Sequence, residues 1–406
     1  MTDETTTHDS TPDAATQRQV FAFLADPATH GGTVVRRIDT HAAVVFLAGD
    51  RALKVKRAVR FPFLDYSTLA RRKAACDEEI RINRPAAPQI YRRVAAITRS
   101  RDGALHIDGD GAPVEYAVDM ARFDVDATLE HLASAGALEP ELIAGLVEAI
   151  GASHRNAPVV AAEGWIGSIP SIIAANTAAF RASGRLAERD IDALDAACQS
   201  SFTGIRARLE ARGRRGLVRR CHGDLHLANI VRIGGKPVLF DAIEFDPAIA
   251  SVDVLYDLAF TLMDLLRYER RAEANSLLNG YLTMTLDDNL DGLATLPLFM
   301  SMRAAIRAHV LLARVKATDD EETPVLRAAR GYFALALRLM APSRPLLVAV
   351  GGLSGTGKTL LARALADSLD PPPGAAVLRS DVARKQHFQV DETERLPADA
   401  YRPQVN

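Results

Sequence analysis

Two carboxylates and one amide stand at a spacing that suits phosphoryl transfer. The segment His222-Gly223-Asp224-Leu225-His226-Leu227-Ala228-Asn229 is followed twelve residues later by Asp241. In such a set one carboxylate accepts the proton of an attacking hydroxyl, while the amide oxygen and the second carboxylate hold a metal ion against nucleotide phosphates. The segment reads as a loop between two strand-like runs, from which side chains project into a site. The pattern therefore predicts a centre that uses ATP and Mg²⁺.

A second phosphate-binding pattern lies near residue 355. The run Gly352-Leu353-Ser354-Gly355-Thr356-Gly357-Lys358-Thr359 follows an apolar strand-like stretch, Leu346–Val350, and precedes a helical pattern from Leu360 to Leu369. Strand, glycine-rich loop and helix in this order form a P-loop. The backbone around Gly352, Gly355 and Gly357 would cradle phosphate, Lys358 would reach the β- and γ-phosphates, and the Thr359 hydroxyl would bind Mg²⁺. The pattern predicts nucleotide binding and indicates nothing about an acceptor.

The first pattern also needs a lysine to hold the α- and β-phosphates and a carboxylate to fix that lysine. Lys54 lies in the strand-like run Ala52–Lys56, and Glu79 lies in the helical pattern that follows. Each has an adjacent rival, because Lys56 shares the strand face of Lys54 and Glu78 precedes Glu79. We expect Lys54 and Glu79 to form the pair.

The elements that must position these residues follow a clear order. A polar tail at residues 1–19 is expected to be disordered, and a short helix is expected at Val20–Leu24. Residues 20–120 then alternate strand and turn signals around one helix at Ser67–Asn83, residues 121–340 are mostly helical around a small hairpin at Gly234-Gly235, and residues 341–345 read as a linker. The remaining residues, 346–406, hold two strand-like runs, Leu346–Val350 and Ala376–Leu378.

Composition sets the broad class. The chain has 406 residues, 48% of them hydrophobic and 25% charged, with a formal net charge of −2, which suits a globular protein of at least two domains and gives no footprint for nucleic acid. Cys76, Cys198 and Cys221 are scattered without metal-binding spacing, and no 18-residue apolar run occurs. We expect a soluble cytoplasmic protein that binds neither nucleic acid nor membrane, and the sequence does not indicate its oligomeric state.

The residues from 33 to about 335 resemble the aminoglycoside-phosphotransferase-like, protein-kinase-like family. The matching parts are Leu53-Lys54-Val55, the helix with Glu79, the strand Glu115–Met120, His222 to Asn229, and Leu239-Phe240-Asp241. The resemblance implies an α+β two-lobed fold in which Asp224 is the catalytic base and Asn229 and Asp241 are metal ligands. It further implies that the backbone near Met120 binds adenine, that Asp39–Ala42 covers the nucleotide, and that His222 supports the loop.

Other polar residues near this centre keep two interpretations. His226 either packs in the loop or contacts the acceptor. Glu244, Asp246, Asp253 and Asp257 could attract a cationic acceptor, although capping of the following helix is the better interpretation for Asp253 and Asp257. His154 is expected to pack at a helix end.

The last part of the chain resembles P-loop kinases of small molecules and polynucleotides. By that resemblance Asp381, with Arg384 nearby, would activate an acceptor hydroxyl, while the alternative role of Asp381 is a helix cap. A P-loop kinase domain of about 150 residues also carries an acidic residue on a later strand and lid arginines, and neither follows Asp381. The whole chain thus resembles a kinase-like domain fused to an incomplete P-loop unit.

The sequence favours a phosphotransferase that uses ATP and Mg²⁺ to phosphorylate a hydroxyl of a small molecule such as a sugar, an aminoglycoside or an amino alcohol. One alternative is a bifunctional protein whose P-loop unit is the main kinase. A second alternative is a nucleotide-binding regulator without turnover.

Overall fold

The structure, a computed structural model, describes residues 12–61, 64–315, 323–353 and 355–388, together with residues 390, 394 and 396. None of the helices in these ranges combines the length and the apolar composition needed to cross a lipid bilayer.

The N-terminal lobe is a six-stranded antiparallel sheet flanked by two helices. Its elements are helix α1 (Pro12–Ala25), strands β1 (Val35–Asp39), β2 (Ala43–Ala48) and β3 (Arg51–Lys56), a short hairpin of β4 (Arg60–Phe61) and β5 (Leu64–Asp65), helix α2 (Leu69–Asn83), and strands β6 (Tyr91–Arg99), β7 (Leu105–Ile107) and β8 (Ala112–Ala121). The strand order is β1-β2-β3-β8-β6-β7, with β4 and β5 forming a separate pair.

Alternation along β3 divides the lobe into two layers. Leu53 and Val55 point to the face that packs on Val20 and Leu24 of α1. Because successive side chains of a strand point to opposite faces, Lys54 and Lys56 point to the other face, which carries α2. The strand therefore presents both lysines towards the carboxylates of α2.

Helix α1 begins earlier than the sequence predicts. Disorder was expected through residue 19, but the helix starts at Pro12; residues 1–11 lie outside the described ranges. The physical reason is Gln17, whose buried amide donates to the Lys56 carbonyl at 2.7 Å and to Glu115 Oε2 at 2.7 Å and accepts from Ala58 N–H at 2.9 Å. These long-range bonds hold a polar segment on the sheet, and local sequence does not show them.

The C-terminal lobe is helical around two small strand pairs. Its elements are α3 (Leu129–Ala135), α4 (Pro140–Asn156), α5 (Glu163–Ser183), α6 (Glu188–Arg214), β9 (Val218–Arg220), β10 (Ile230–Ile233), β11 (Lys236–Leu239), α7 (Pro247–Ala250), β12 (Ser251–Asp253), α8 (Val254–Arg267), α9 (Arg271–Asn289), α10 (Leu296–Leu312) and α11 (Pro324–Leu339). β10 pairs with β11, and β9 pairs with β12.

Helix α8 is the centre of this lobe. All of its residues from Val254 to Leu266 are buried, and its N-cap Asp253 forms a buried two-bond ion pair with Arg212 of α6, with both distances 2.8 Å. The predicted hairpin is present: Gly234 and Gly235 have φ of 58° and 78°, the left-handed conformation that a two-residue turn between β10 and β11 requires. The predicted α+β two-lobed fold is confirmed.

In the described part of the P-loop unit, residues 346–353 and 355–388, the structure has helices and no strand. Helices α12 (Lys358–Ala366) and α13 (Ser380–His387) form, but the predicted strands Leu346–Val350 and Ala376–Leu378 do not. An isolated strand leaves its backbone groups unpaired, and no neighbouring strand accompanies these runs within the described ranges; Leu347 is 93% exposed. The P-loop unit is partial.

Side chains of α9 take the place of a neighbouring strand along the second run. Asn279 Oδ1 accepts from the Val377 N–H at 2.7 Å, and Asn275 donates to the Ala375 carbonyl at 3.1 Å. Arg271 also donates to the Leu369 carbonyl at 2.7 Å. These bonds tether the P-loop unit to the helical lobe.

Candidate active site

The loop from His222 to Asn229 connects β9 and β10 and is fixed by its own first residue. His222 Nε2 donates to the Phe240 carbonyl at 2.9 Å, and its Nδ1 accepts from the Asp224 N–H at 3.4 Å. Burial lowers the pKa of His222, which favours the neutral ring that this donor–acceptor arrangement needs. The histidine braces the loop, as expected, and both of its ring nitrogens are engaged.

Three polar side chains of α8 hold the same loop from below. Asp257 Oδ1 accepts from the Gly223 N–H at 2.8 Å, Thr261 Oγ1 donates to the Leu225 carbonyl at 2.8 Å, and Asp264 Oδ2 accepts from the Leu227 N–H at 3.0 Å. Residues at these spacings lie on one face of a helix. One helical face therefore satisfies alternate backbone groups of the loop.

The acidic residues after the loop, for which attraction of a cationic acceptor was one interpretation, contact other groups of the chain. Each has an intramolecular partner: Glu244 pairs with Lys56, Asp246 caps α7 at the Ala248 N–H, Asp253 caps α8 and pairs with Arg212, and Asp257 holds Gly223. His154 packs at the end of α4, where it contacts Tyr281 Oη at 2.9 Å and Asp257 at 3.2 Å.

Asp224 projects from the braced loop with one oxygen occupied. Its Oδ2 accepts from Asn229 Nδ2 at 3.0 Å and lies 3.3 Å from His226 Nε2. Of the described residues, none donates to Oδ1, and the side chain is 40% exposed. One carboxylate oxygen is thus held and the other is open to a ligand.

Lys54 joins the two lobes. Its Nζ lies 2.9 Å from Glu79 Oε1 and 2.7 Å from Asp241 Oδ1. Glu79 is fully buried, whereas Glu78 pairs with Arg81 on the exposed face of α2. The ion pair therefore involves Glu79. Lys56, the rival of Lys54, contacts Glu79 Oε2 and Glu244 and is itself buried.

The backbone of Asp241 is set by the N-terminal lobe. Asp241 has a positive φ of 61°, an uncommon conformation for a residue with a side chain. Tyr91 Oη accepts from its N–H at 3.0 Å, and Asn83 bonds the next residue, Ala242, at 2.7 Å through the N–H and at 3.3 Å through the carbonyl. These three contacts stabilise the strained backbone conformation that orients the Asp241 carboxylate.

Charge pairing overrides burial throughout the site. Burial opposes ionisation of Asp241, yet the Lys54 ammonium lowers the pKa of this carboxyl below its ordinary value. Burial likewise opposes a charged Lys54, but Asp241 and Glu79 raise the pKa of Lys54 well above its ordinary value. For Asp224, burial is again outweighed, and the His226 charge and hydrogen bond leave its pKa low. All three groups are charged at neutral pH.

The donor set fits a hard divalent cation. Because Asn229 directs its Nδ2 to Asp224, its Oδ1 points away, and Asp241 Oδ2 also has no hydrogen-bond donor among the described residues. Two free oxygen ligands beside phosphate are what Mg²⁺ takes in nucleotide sites.

The predicted adenine contact needs correction. Residues Ala117–Ala121 of β8 pair with β3, and the strand also pairs with β6, so the backbone of Ala117–Met120 is paired within the sheet on both sides. Glu115 itself is buried against Arg72 at 2.9 Å. What remains near the lobe junction is a half-buried apolar surface, formed by the side chains of Met120, Phe123 and Phe240.

The P-loop residues lie apart from this centre, on the unit tethered to α9. Gly352, Gly355 and Gly357 have φ of 151°, 78° and 82°, and Lys358 Nζ donates to the Leu353 carbonyl at 2.6 Å; Ser354 lies outside the described ranges. Thr359 is in the first turn of α12. Asp381, in the first turn of α13, pairs with Arg379 at 2.6 Å. Arg384 lies further along the same helix. Their roles stay predictions.

Several residues of the site escaped the sequence analysis. Thr261 and Asp264 were detectable as polar residues at helical spacing from Asp257 in an otherwise apolar helix. Asn83 and Tyr91 carried no such signal, because their partners lie more than a hundred residues away along the chain.

The Zeta toxin family model matches residues 335–405. An uncharacterized protein of Mycobacterium tuberculosis (strain H37Rv) is 28% identical over 357 residues, which cover 86% of this chain and 67% of the relative.

Among solved structures, a choline/ethanolamine kinase family protein from Mesorhizobium loti is similar at a TM-score of 0.42 and 14% identity, over 80% of this chain and 95% of that chain. A thermostable mutant of an aminoglycoside phosphotransferase is similar at a TM-score of 0.42 and 12% identity, over 78% of this chain and 98% of that chain.

Proposed function

We propose that this protein is a phosphotransferase that uses ATP and Mg²⁺ to phosphorylate a hydroxyl of a small molecule, with Asp224 as the catalytic base. The observation that carries the proposal is the ion triad of Lys54, Glu79 and Asp241, which stands beside the braced loop of Asp224 and Asn229. A lysine for phosphates, two metal-ligand oxygens and an open carboxylate oxygen are the parts that phosphoryl transfer needs.

The open oxygen defines the role of Asp224. The acceptor hydroxyl attacks the γ-phosphorus of ATP, its proton passes to Asp224 Oδ1, and the bond from the γ-phosphorus to the bridging oxygen breaks to release ADP. Because Asn229 and His226 occupy Oδ2, the carboxylate cannot rotate freely, and Oδ1 stays directed at the hydroxyl. The low pKa keeps the base ionised.

The remaining residues hold the nucleotide. Lys54 contacts the α- and β-phosphates while Glu79 keeps its ammonium in place. Asn229 and Asp241 hold Mg²⁺, which supplies charge neutralisation for the phosphates. The adenine ring lies on the apolar surface of Met120, Phe123 and Phe240, where edge-on rings at 4.8 Å form one wall.

The test is ATP consumption by Asp224→Asn and Lys358→Ala. Asp224→Asn should lower acceptor-dependent turnover by about 10²- to 10⁴-fold, the usual contribution of a general base, and leave binding of a fluorescent ATP analogue unchanged. Lys358→Ala should change turnover little. ATP turnover that persists in Asp224→Asn would show that the site around Asp224 does not catalyse the reaction.

A second candidate is the bifunctional protein in which the P-loop unit is the main kinase. The match of residues 335–405 to the Zeta toxin family favours it. Two observations count against it: residues 346–353 and 355–388 contain no strand, and Lys358 donates to a carbonyl of its own loop. The same experiment separates the two, because Lys358→Ala would then abolish turnover. A regulator would bind the nucleotide and show no acceptor-stimulated turnover in the wild type.

A further inference from the structure

Two arginines of α10 and one histidine form a basic wall beside Asp224. Arg303 and Arg307 are four residues apart and so share a face of the helix, and His226 belongs to the loop. Arg303 is only 4% exposed. Its guanidinium carbon lies 3.9 Å from the ring centroid of Tyr256 and 4.6 Å from that of Phe260, so the group is fixed by two aromatic faces of α8.

The wall is continuous with the acceptor side of the site. The Phe260 ring that carries Arg303 meets the His226 ring edge-on at 5.3 Å, and His226 Nε2 lies 3.3 Å from Asp224 Oδ2. Burial raises the pKa of Asp224, whereas His226 and His222 lower it. Arg303 lies close enough to lower it further. Burial lowers the pKa of Arg307, but the charge of Asp264 raises it above its ordinary value, with a smaller contribution from Asp224.

Three polar atoms of the wall are shielded from solvent but have no hydrogen-bond partner among the described residues: Arg303 Nη2, Arg307 Nε and His226 Nδ1. The two guanidinium nitrogens are donors, and Nδ1 becomes a donor when the His226 ring is protonated, which the raised pKa of His226 beside Asp224 favours. For Arg303 Nη2 the nearest carboxylate oxygen is Asp257 Oδ1 at 3.9 Å, which is beyond a hydrogen bond. A buried polar group without a partner costs about 1–3 kcal/mol. Several such donors together next to an exposed catalytic oxygen indicate a ligand with acceptor atoms.

Neither neighbouring carboxylate is shown to hydrogen-bond to the arginines, although Asp257 Oδ1 lies 3.9 Å from Arg303 Nη2 and the charge of Asp264 raises the pKa of Arg307. Asp257 is used by the Gly223 N–H and His154, and Asp264 by the Leu227 N–H and the Tyr332 hydroxyl, the latter at 2.8 Å. Within the described ranges these loop-bracing contacts leave Asp224 as the carboxylate directed to the acceptor.

We propose that the acceptor carries an anionic oxygen group, a carboxylate or a phosphate; this proposal rests on the proposed function. Arg303 and Arg307 bind the anionic group while a nearby hydroxyl of the same acceptor contacts Asp224. Guanidinium groups bind such oxygens through charge-assisted bonds. Of the acceptor classes that the sequence left open, sugars remain in their acidic or phosphorylated forms, and aminoglycosides and amino alcohols are disfavoured.

The experiment compares acceptors that share a skeleton and differ in charge. One series is glucose, gluconate, glucose 6-phosphate and glucosamine, and the other is glycerol, glycerate, glycerol 3-phosphate and 2-amino-1,3-propanediol. We expect that, in ATP consumption by the full chain, one anionic member of each series has a kcat/KM at least tenfold above that of its neutral analogue. The cationic member should have the lowest kcat/KM. The carboxylate and phosphate arms show which anionic group is received.

Variants tie the preference to the wall. Arg307→Gln, at a half-buried position, and Arg303→Lys, which keeps the charge but loses the planar fork, should raise KM for the anionic acceptor about tenfold or more and narrow its advantage over the neutral one. Arg206→Gln removes an exposed arginine paired with Glu210 on α6 and should change nothing.

Three results overturn the inference. Preference for a cationic or neutral acceptor refutes it and leaves the proposed function standing. An anionic preference that both α10 variants retain refutes the role of the wall. Absence of acceptor-dependent ATP consumption with every compound refutes the proposed function and the inference together.

Discussion

The Nζ atom of Lys54 lies 2.7 Å from Asp241 Oδ1 and 2.9 Å from Glu79 Oε1, so one ammonium bridges a carboxylate of each lobe. Lys54 lies on β3 of one lobe, and Asp241 follows β11 and Phe240 in the other. The relative position of the lobes is therefore coupled to the same atoms that the proposal assigns to phosphates and metal.

Replacement of this lysine should separate catalysis from folding. Lys54→Met leaves Glu79 paired with Lys56 but removes the charge that opposes Asp241, so kcat/KM for ATP should fall by about 10²- to 10³-fold, as for other lost electrostatic groups. ATP consumption and circular dichroism measure the two effects. Lys73→Met, which breaks an exposed pair with Asp77, is the control and should keep full activity. Normal activity of Lys54→Met would contradict the assignment.

Lys56 should behave in the opposite way. Its ammonium is buried with Glu79 and Glu244, whose side chains are 0% and 6% exposed. Lys56→Met leaves the buried Glu244 without a cation, whereas Glu79 keeps Lys54, and breaking a buried pair in this way costs about 3–5 kcal/mol. The free energy of unfolding in urea should fall by that amount. A loss below about 1 kcal/mol, the value of an exposed pair, would show that water reaches Glu244.

Metal dependence should pass through Asp241. Chelation of divalent cations should stop ATP consumption, and Asp241→Asn should raise the Mg²⁺ concentration for half-maximal rate by about 10- to 100-fold, the range found even for groups that only support a ligand. Asp246→Asn alters a carboxylate that caps α7 at the surface and should leave the Mg²⁺ curve unchanged. Equal curves for wild type and Asp241→Asn would exclude this residue as a ligand.

The sequence predicts much of this site because its parts are local. The loop from His222 to Asn229 is contiguous, and the alternation of β3 already places Lys54 and Lys56 on one face. The choice of Glu79 over Glu78 depends on the phase of α2 against the sheet, a tertiary property. The contacts of Asn83 and Tyr91 with the Asp241 turn join distant segments, and no local pattern encodes them.

Two predictions from the sequence were wrong, a strand at Leu346–Val350 and disorder at residues 12–19, and they share a cause. Leu346–Val350 has the composition of a buried strand, but a strand is stabilised by its neighbours, and none stands beside this run within the described ranges. The opposite holds for residues 12–19, whose polar composition suggests disorder although Gln17 anchors them to the sheet. In both cases long-range partners decide the structure.

Acid should weaken the brace beneath the loop through Asp257. Burial raises the pKa of this carboxyl, but the hydrogen bond and charge of His154 bring it below the ordinary value of 3.8. A group with a lower pKa in the folded than in the unfolded state adds stability above the unfolded pKa and loses it as pH falls through the folded pKa. Wild type should therefore exceed Asp257→Asn in free energy of unfolding by about 2 kcal/mol at neutral pH, as for a hydrogen bond to a charged group.

The decisive measurement is the difference between the two proteins in urea unfolding from pH 7 downwards. It should stay constant to about pH 5 and shrink below the ordinary carboxyl pKa, because protonation turns the wild-type carboxylate into a neutral group like the amide. Glu210→Gln, at an exposed pair with Arg206, should show no such trend. A difference that grows as pH falls would mean that Asp257 is protonated in the folded protein. The Gly223 N–H would then be held by a neutral acid, and the brace would not depend on charge.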